Sequence, residues 1–206
     1  ANSGLRILMH GGGMHTAGRL YSEQLLELLD IPLCGDWAQV ASALEQQHLA
    51  FIPLGAWMPE LQRMTDLRNV LGLRSPIHSL ARLLNPLQAR CGLQSIFHPG
   101  YQSVHRDASQ LLGDRVIVVK GEGGEIEVNP DSPCQLFGTS AQGIWNEEWP
   151  ALSAQRHVKP AQLDPAKLLA VWHGPEPVEY ALHAIPGRIA LALRGLRRTR
   201  PEALGQ

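Results

Sequence analysis

Four short apolar runs, separated by stretches with helical spacing of apolar residues, constrain the fold of this chain most strongly. The runs are Leu5–Met9, Leu49–Leu54, Gly92–Phe97 and Arg115–Val119. Strands that alternate with helices form parallel sheets, because each crossover helix returns the chain to the same edge. The sequence therefore predicts an α/β fold with a mainly parallel sheet flanked by helices.

The C-terminal part of the chain has a different pattern of apolar residues. Short apolar pieces separated by Pro, Gly and Ser over Glu125–Trp149 predict a hairpin or an edge excursion of the sheet. Asp164 followed by Pro165 is typical of a helix start, and Val178–Leu196 predicts a last helical region interrupted by its internal Pro-Gly pair. We therefore expect a helical or hairpin C-terminal extension.

Composition places the chain among soluble globular proteins. Its 206 residues can form one main domain, and 44% hydrophobic with 18% charged residues is ordinary for that class. The sequence shows neither a signal peptide nor an apolar run long enough to span a bilayer, so we expect a cytoplasmic protein without a membrane partner. Because the first predicted strand follows Ala1 so closely, we also expect that an amino-terminal piece is missing.

Three cysteines, Cys34, Cys91 and Cys134, are far apart and form no Cys-x-x-Cys pair. This spacing disfavours a disulfide framework or a zinc knuckle and predicts reduced, mostly buried thiols.

Trp145 and Trp149 lie among acidic residues, whereas base-stacking platforms adjoin positive charge. They are therefore predicted to be packing anchors.

Charge is distributed in blocks, although the net charge is only −1. Six arginines fall between Arg63 and Arg106, where Asp66 is the one acid, whereas Gly121–Gln155 carries six acids and no base. Five further arginines lie between residues 188 and 200. Such basic blocks favour an anionic partner.

Arg74, Ser75 and His78 stand at the start of a predicted helix. Helix N-termini attract anions through their unpaired amides, and a guanidinium group adds two parallel donors. The group therefore predicts an anion site. The alternative is an arginine whose stem covers apolar surface, with His78 on a polar helix face.

His10, Gly11 and Gly12 follow the first predicted strand. A similar loop serves some esterases, but their chemistry requires a Gly-x-Ser-x-Gly elbow, which this sequence lacks. Two interpretations stay open: a plain strand-to-helix turn, or a loop whose backbone amides face an anion.

Glu125 and Glu127 are two residues apart, so in an extended segment both carboxylates point to one face. There they predict a Mg²⁺ site with oxygen ligands, or else a charged hairpin edge that resists aggregation. The glycines that precede them do not match a Walker or a Rossmann loop, since no helix is predicted to follow.

The order of these parts resembles the α/β domain of the anthranilate phosphoribosyltransferase family, which includes pyrimidine nucleoside phosphorylases, and most closely its divergent YbiB-type branch. The resemblance runs from about Leu5 to Leu193. It is carried by M-H-G-G-G at 9–13, F-I-P-L-G-A at 51–56, G-L-R-S-P-I-H-S-L-A-R-L-L-N-P at 72–86 and V-V-K-G-E-G-G-E at 118–125.

Enzymes of this family transfer a phosphoribosyl group from phosphoribosyl pyrophosphate, with Mg²⁺, to a nitrogen. The resemblance carries over His10 and Gly11 from a K-H-G-N-R segment, Arg74 from an Arg-Thr pair, and Asn85. Glu125 or Glu127 stands where the family has an Asp-Glu pair for the metal. The sequence lacks the family's G-T-G-G-D loop and has Met9 in the place of lysine. The resemblance therefore implies eroded catalytic motifs and leaves open whether the chain is an enzyme.

Members of the YbiB-type branch are associated with nucleic-acid binding that is independent of base sequence, as homodimers. This implies DNA or RNA as an alternative partner, with a homodimeric protein. The resemblance also implies a single α/β domain over residues 1–206 that lacks an amino-terminal helical subdomain. The candidate phosphate-contacting residues are Arg63, Arg68, Arg82, Arg194, Arg197 and Arg198.

Overall fold

The computed structural model describes residues 4–12, 21–121, 128–154, 157, 164–174 and 179–198. The chain divides into two compact units. The first unit comprises Ala1–Arg82 and Asp164–His173, and the second comprises Leu83–Leu163 and Gly174–Gln206. The prediction of one α/β domain that lacks a helical subdomain stays a prediction.

The described strands form two sheets, one in each unit. They are β1 (Ile7–Gly11), β2 (Leu49–Pro53), β3 (Gly92–Ile96), β4 (Val116–Lys120), β5 (Cys134–Ser140) and β6 (Gly143–Trp149). The described helices are α1 (Ser22–Leu28), α2 (Trp37–Gln46), α3 (Leu54–Trp57), α4 (Pro59–Asp66), α5 (Arg68–Leu71), α6 (Ile77–Leu80), α7 (Tyr101–Leu111), α8 (Pro165–His173) and α9 (Glu179–Arg198).

In the first unit, β1 and β2 form a parallel pair in which Ile7 lies opposite Leu49. The first strand begins two residues later than predicted, and its Ile7 is half exposed rather than buried. Ala50 and Ile52 of β2 are fully buried, because the apolar face of α2 packs on them. The carboxyl ends of both strands therefore lie at the same edge of this small sheet.

Helix α2 begins at a capping motif. Asp36 is its N-cap residue and accepts a hydrogen bond from the backbone nitrogen of Gln39 at 2.8 Å. The Gln39 side chain in turn accepts a hydrogen bond from the backbone nitrogen of Gly35 at 2.8 Å. These bonds satisfy amide donors that a helix start otherwise leaves without partners.

In the second unit, the strand order is β3-β4-β5-β6. The β3–β4 pair is parallel, whereas β4–β5 and β5–β6 are antiparallel. The predicted hairpin is therefore confirmed, and it extends the sheet by two antiparallel strands. The β4 strand is buried from Val116 to Val119, which explains its continuous β-branched sequence.

Helices cover both faces of this second sheet. Ile117 and Val119 share a core with Leu191 of α9, whereas Val116 and Val118 point to the other face. There α7 presents a buried polar side, on which His105 Nδ1 lies 3.3 Å from Oε1 of Gln94. Together with the first unit, this arrangement confirms the predicted α/β class, with sheets flanked by helices.

Helix α9 runs without a break through Pro186, so the predicted interruption is wrong. Packing of buried Ala184 and Leu191 on either side of the proline outweighs the one backbone hydrogen bond that it removes. Two glycines bring the helix close to its neighbours. A Cβ atom on Gly187 would lie 3.0 Å from Leu152, and one on Gly195 would overlap the sulfur of Cys91.

No helix among the described residues is both long enough and apolar enough to cross a membrane.

Candidate functional site

The segment between α5 and the end of α6 contains the strongest predicted anion site. Helix α5 ends at Gly72, whose φ of 69° is the left-handed conformation that glycine adopts without strain. Helix α6 is only one turn long and continues as a 3₁₀ turn over Ala81–Leu83. Because a helix this short has a small dipole, any attraction for an anion here must come from side chains.

Ser75, His78 and Arg82 are held together within this segment. The Nδ1 atom of His78 lies 3.2 Å from the carbonyl oxygen of Ser75 and 3.4 Å from its hydroxyl oxygen. Nη1 of Arg82 donates a hydrogen bond to the carbonyl oxygen of His78 at 3.2 Å. One guanidinium group is thereby fixed beside the imidazole ring.

The charge around His78 is positive. Burial lowers the pKa of His78 below its ordinary value of 6.5, although the hydrogen bond to the Ser75 backbone acts in the opposite direction. The nearby guanidinium groups lower this pKa further, because they disfavour a second positive charge. These three groups, which we call the arginine cluster, belong to Arg68, Arg74 and Arg82.

The predicted loop at 10–12 is wrong in part, because His10 and Gly11 are the last two residues of β1, where they pair with β2, and only Gly12 follows the strand. The ring of His10 makes an edge contact with Trp57, with 6.0 Å between ring centroids. A Cβ atom on Gly12 would lie 2.9 Å from Oε1 of Gln62, whose amide nitrogen donates to Asp66 at 2.7 Å. Close packing against α4 is thus one physical reason for glycine at this position.

Asn85 belongs to the second unit, and its side chain holds the turn that precedes β3. Its Nδ2 atom donates to Oδ1 of Asp114 at 2.7 Å, and its Oδ1 atom accepts from the backbone nitrogen of Ala89 at 2.8 Å. The structure gives this amide a structural role, and its contact with an anion stays a prediction.

The predicted metal ligands Glu125 and Glu127 lie outside the described residues. Within the described part of the chain, no group of three or more His, Cys, Asp and Glu side chains is arranged to hold a metal ion. The Mg²⁺ site therefore stays a prediction that concerns those two carboxylates.

The candidate nucleic-acid contacts are in different environments. Arg63 pairs with Glu60, and Nη2 of Arg194 lies 2.7 Å from Oε2 of Glu147. Arg197 is exposed near the end of α9, and the side chain of Arg198 lies outside the description. Arg68 and Arg82 belong to the arginine cluster. Of these candidate contacts, the structure therefore places Arg68 and Arg82 near the predicted anion site.

Two features of the second unit have no signal in the sequence. Asp131 accepts hydrogen bonds from the backbone nitrogen of His157 at 2.7 Å and from its ring at 2.6 Å, although the residues are 26 positions apart. A cavity of about 230 Å³ also opens beside Lys120, at the carboxyl end of β4, and Gln102 and Asn129 line it. Only the folded chain brings these groups together.

Comparisons with known proteins agree with this fold. No protein-family model matches the chain. Anthranilate phosphoribosyltransferase of Synechococcus sp. strain RCC307 is 33% identical over 138 residues, which are 66% of the chain and 40% of that protein. The uncharacterized protein YbiB of Escherichia coli strain K12 is 27% identical over 143 residues, which are 68% of the chain and 44% of that protein.

The similarity extends to solved structures. Anthranilate phosphoribosyltransferase from Saccharomyces cerevisiae matches with a TM-score of 0.68 at 16% identity, over 95% of the chain and 59% of that protein. A variant of the same enzyme, with a TM-score of 0.67, was solved with Mg bound. The chain spans less than half the length of the curated relatives that it matches. By sequence as well as by fold, the chain is therefore a relative of the anthranilate phosphoribosyltransferase family.

Proposed function

We propose that the chain is a phosphoribosyltransferase-related protein that binds a phosphate-bearing ligand at the arginine cluster. The observation that carries this proposal is the grouping of Ser75, His78 and Arg82, in which Nη1 of Arg82 donates a hydrogen bond to the carbonyl oxygen of His78 at 3.2 Å. The guanidinium groups of Arg68 and Arg74 also lie near enough to lower the pKa of His78. A phosphate group accepts several hydrogen bonds and neutralises such positive charge, and guanidinium groups bind it in a bidentate manner.

Phosphoribosyl pyrophosphate is the first ligand to test, since the family relationship suggests it. Transfer of its phosphoribosyl group is proposed to be weak or lost. Met9 stands where the family has a lysine, and removal of that positive charge weakens the hold on a pyrophosphate leaving group. Mg²⁺ would bind through Glu125 and Glu127 and stabilise the same leaving group. A cytoplasmic location is part of this proposal.

Titration calorimetry of the full 206-residue chain with phosphoribosyl pyrophosphate, with and without Mg²⁺, tests the proposal. We expect saturable binding that Arg74→Gln weakens at least tenfold, because a charge-assisted hydrogen bond contributes about 1.5–3 kcal/mol. Arg90→Gln is the matched control, since Arg90 is an exposed arginine of the second unit. Absence of heat with the unmodified chain, or equal losses in both variants, would contradict the proposal.

Mg²⁺ requires a separate test. Glu125→Gln combined with Glu127→Gln should abolish the increase in affinity that Mg²⁺ causes and leave metal-free binding unchanged. The reason is that amide oxygens carry no charge to hold the ion. If Mg²⁺ increases the affinity of this double variant as much as that of the unmodified chain, the two residues are not its ligands.

A second candidate function is sequence-independent binding of DNA or RNA through backbone phosphates. It is supported by the same arginine cluster, because a polynucleotide phosphate would neutralise the field at His78 equally well. Exposed Arg197 supplies one more positive charge on α9. A homodimer, which the resemblance to the YbiB-type branch implies, stays a prediction.

Gel shifts at several salt concentrations distinguish the two candidates. A nucleic-acid binder should lose affinity steeply as salt rises, with a slope set by the number of phosphates neutralised. Arg74→Gln and Arg197→Gln should each reduce that slope by about one. Binding of phosphoribosyl pyrophosphate that is not displaced by an oligonucleotide would favour the first candidate.

A further inference from the structure

The cavity of about 230 Å³ beside Lys120, here called the β4–β5 cavity, belongs to the second unit, whereas the arginine cluster belongs to the first. It opens where β4 ends at Lys120 and β5 begins at Cys134. Backbone pairing of these two strands stops at Val119 and Leu136, short of both ends, which leaves space there. The cavity has roughly the volume of eight water molecules, so its ligand must be a small molecule.

One wall of the cavity is held in place by hydrogen bonds within the protein. The Oδ1 atom of Asn129 accepts a hydrogen bond from the backbone nitrogen of Asp131 at 2.9 Å. The carbonyl oxygen of Pro130 accepts from the backbone nitrogens of Leu152 at 2.8 Å and Ser153 at 2.9 Å. Because this wall is fixed before a ligand arrives, little ordering of the chain opposes binding.

The charge at the cavity is positive. Lys120 is the one charged residue among the described residues that line it. This lysine is exposed and forms no ion pair within the described part of the chain. Pro99 and Gln102, which flank the start of α7, line the same cavity, and the first turn of α7 contains no acidic residue. The positive end of the helix dipole therefore adds to the lysine charge, and an anionic group is the complementary ligand group.

Two amide side chains of the lining supply hydrogen-bonding atoms that the protein does not use. Gln102 is only 3% exposed, and its Nε2 atom donates to the carbonyl oxygen of Gln135 at 3.4 Å. Its Oε1 atom accepts no hydrogen bond from any residue that the structure describes. Asn129 uses Oδ1 for Asp131, and its Nδ2 atom donates to none of the described residues. A buried acceptor without a donor costs free energy, which a ligand that brings a donor to this place recovers.

These groups select one class of ligand. A carboxylate accepts hydrogen bonds from Lys120 and from Nδ2 of Asn129, whereas Oε1 of Gln102 requires a donor on the same ligand. A hydroxyl group supplies this donor without charge, and an ammonium group would be repelled by the lysine and by the start of α7. None of the described lining residues is aromatic, so the cavity offers no flat apolar wall for a ring.

We propose that the β4–β5 cavity binds a small aliphatic hydroxycarboxylate. Its carboxylate contacts Lys120 and Asn129, and its hydroxyl group donates to Oε1 of Gln102. The single lysine matches the single charge of a carboxylate, whereas a phosphate monoester carries nearly two negative charges. This site goes beyond the phosphate-ligand function proposed above and does not depend on it.

Titration of the isotope-labelled full 206-residue chain with racemic lactate, followed by NMR of the backbone amides, tests the proposal. We expect saturable shifts around Lys120 and Asn129, with a dissociation constant of about 1 mM. Lys120→Gln should weaken binding by about tenfold or more, because it removes a charge-assisted hydrogen bond. Lys167→Gln is the matched control, since Lys167 is an exposed lysine of the first unit.

Asn129→Asp tests the second carboxylate contact. It keeps the oxygen that accepts from the backbone nitrogen of Asp131 and replaces the donating Nδ2 atom by a charged oxygen. The variant should therefore fold with an unchanged melting temperature and show no lactate binding at about ten times the original dissociation constant. Arg74→Gln should bind lactate as the unmodified chain does, because it alters the arginine cluster only.

Three ligands of similar size test the hydroxyl contact. Propionate lacks the hydroxyl group and should bind about fivefold more weakly than lactate, and alanine should also bind more weakly because its ammonium group is repelled. Gln102→Met removes the acceptor and should make lactate and propionate equal in affinity. If this buried substitution prevents folding, the ratio of the two affinities in the unmodified chain still tests the contact.

Several results would overturn the proposal. They are the absence of shifts at about 50 mM lactate, shifts confined to the surroundings of Arg74, and equal losses in Lys120→Gln and Lys167→Gln. Binding of propionate, alanine, benzoate or inorganic phosphate as tight as that of lactate would contradict the hydroxycarboxylate class. The titration with phosphoribosyl pyrophosphate depends on Arg74, so either proposal can fail while the other stands.

Discussion

The indole ring of Trp145 covers the backbone of Gly138, its partner across the β5–β6 hairpin. A Cβ atom on Gly138 would overlap that ring. Trp145 and Trp149 pack against the core cluster around Leu136, so their predicted role as packing anchors is confirmed. A strand glycine in this position lets a large aromatic side chain lie flat on the sheet.

Gly138→Ala should lower the free energy of unfolding by about 1–3 kcal/mol, because the new methyl group forces the Trp145 ring out of its place. Urea unfolding followed by circular dichroism measures this change. Gly100→Ala is the control, since no atom lies within 4 Å of its added Cβ and its φ is −59°. Replacement of Trp145 by Val in the Gly138→Ala background should restore part of the loss. No recovery there would contradict the proposed overlap.

The stability of the chain should fall as pH is lowered through about 6.5. Because the pKa of His78 is lowered in the folded chain, first by burial and then by the arginine cluster, the unfolded chain binds a proton that the folded chain does not. The loss of stability begins as pH falls through the unfolded pKa and is complete below the folded pKa, where both states carry the proton. His78→Gln should flatten the dependence of the unfolding midpoint on pH between about 5 and 7.5.

The pKa of His78 also depends on the guanidinium groups near it. Arg74→Gln should raise the pKa of His78 towards its ordinary value, as measured by NMR titration of the imidazole resonances. Arg63→Gln is the control, because Arg63 pairs with Glu60 and is not among the groups that lower this pKa. A ligand phosphate at the cluster should also raise it. An identical titration in both variants would contradict the arrangement of the cluster.

Asp131→Ala should destabilise the second unit by about 1–3 kcal/mol, since it leaves the backbone nitrogen and the ring of His157 without their acceptor. Asp131→Asn keeps one acceptor oxygen and should cost less. Thermal unfolding followed by fluorescence of the tryptophans measures both variants. Equal losses would show that the carboxylate charge, rather than the number of acceptors, fixes His157.

Cys91 should react slowly with iodoacetamide. Burial raises its pKa to about 11, so only about a thousandth of the group is thiolate at pH 8. The folded chain also keeps this proton when the unfolded chain loses it, so stability should fall as pH rises above about 9. Mass spectrometry after timed alkylation checks the first expectation. Rapid modification of Cys91 in the folded chain would contradict it.

Local patterns in the sequence predict much of the fold. The β4 strand and the start of α2 follow from a β-branched run and from the Asp36 cap, which act over a few residues. Gly72 ends α5 for an equally local reason, because glycine adopts the left-handed φ of this position without strain. The apolar residues from Leu61 to Leu71 have the spacing of one helix, but the chain turns at Leu67 and forms α4 and α5 instead.

The candidate site was predictable only in part. Arg74, Ser75, His78 and Arg82 lie together because they are neighbours in sequence, with Arg82 four residues after His78. Arg68 lies on the preceding helix, α5, and its place near His78 depends on the turn between the two helices. Longer-range partners gave no sequence signal, as the 26-residue separation of Asp131 and His157 shows. The continuity of α9 depends likewise on packing with the sheet rather than on local propensity.

Gly187 and Gly195 let α9 lie close to its neighbours. A side chain at Gly187 would have to displace Leu152 or Val128, and one at Gly195 would have to displace the sulfur of Cys91. A larger residue at either position would therefore force these neighbours to move or push the helix outward. The absence of a side chain at these two positions thus sets how closely α9 can approach the residues beneath it.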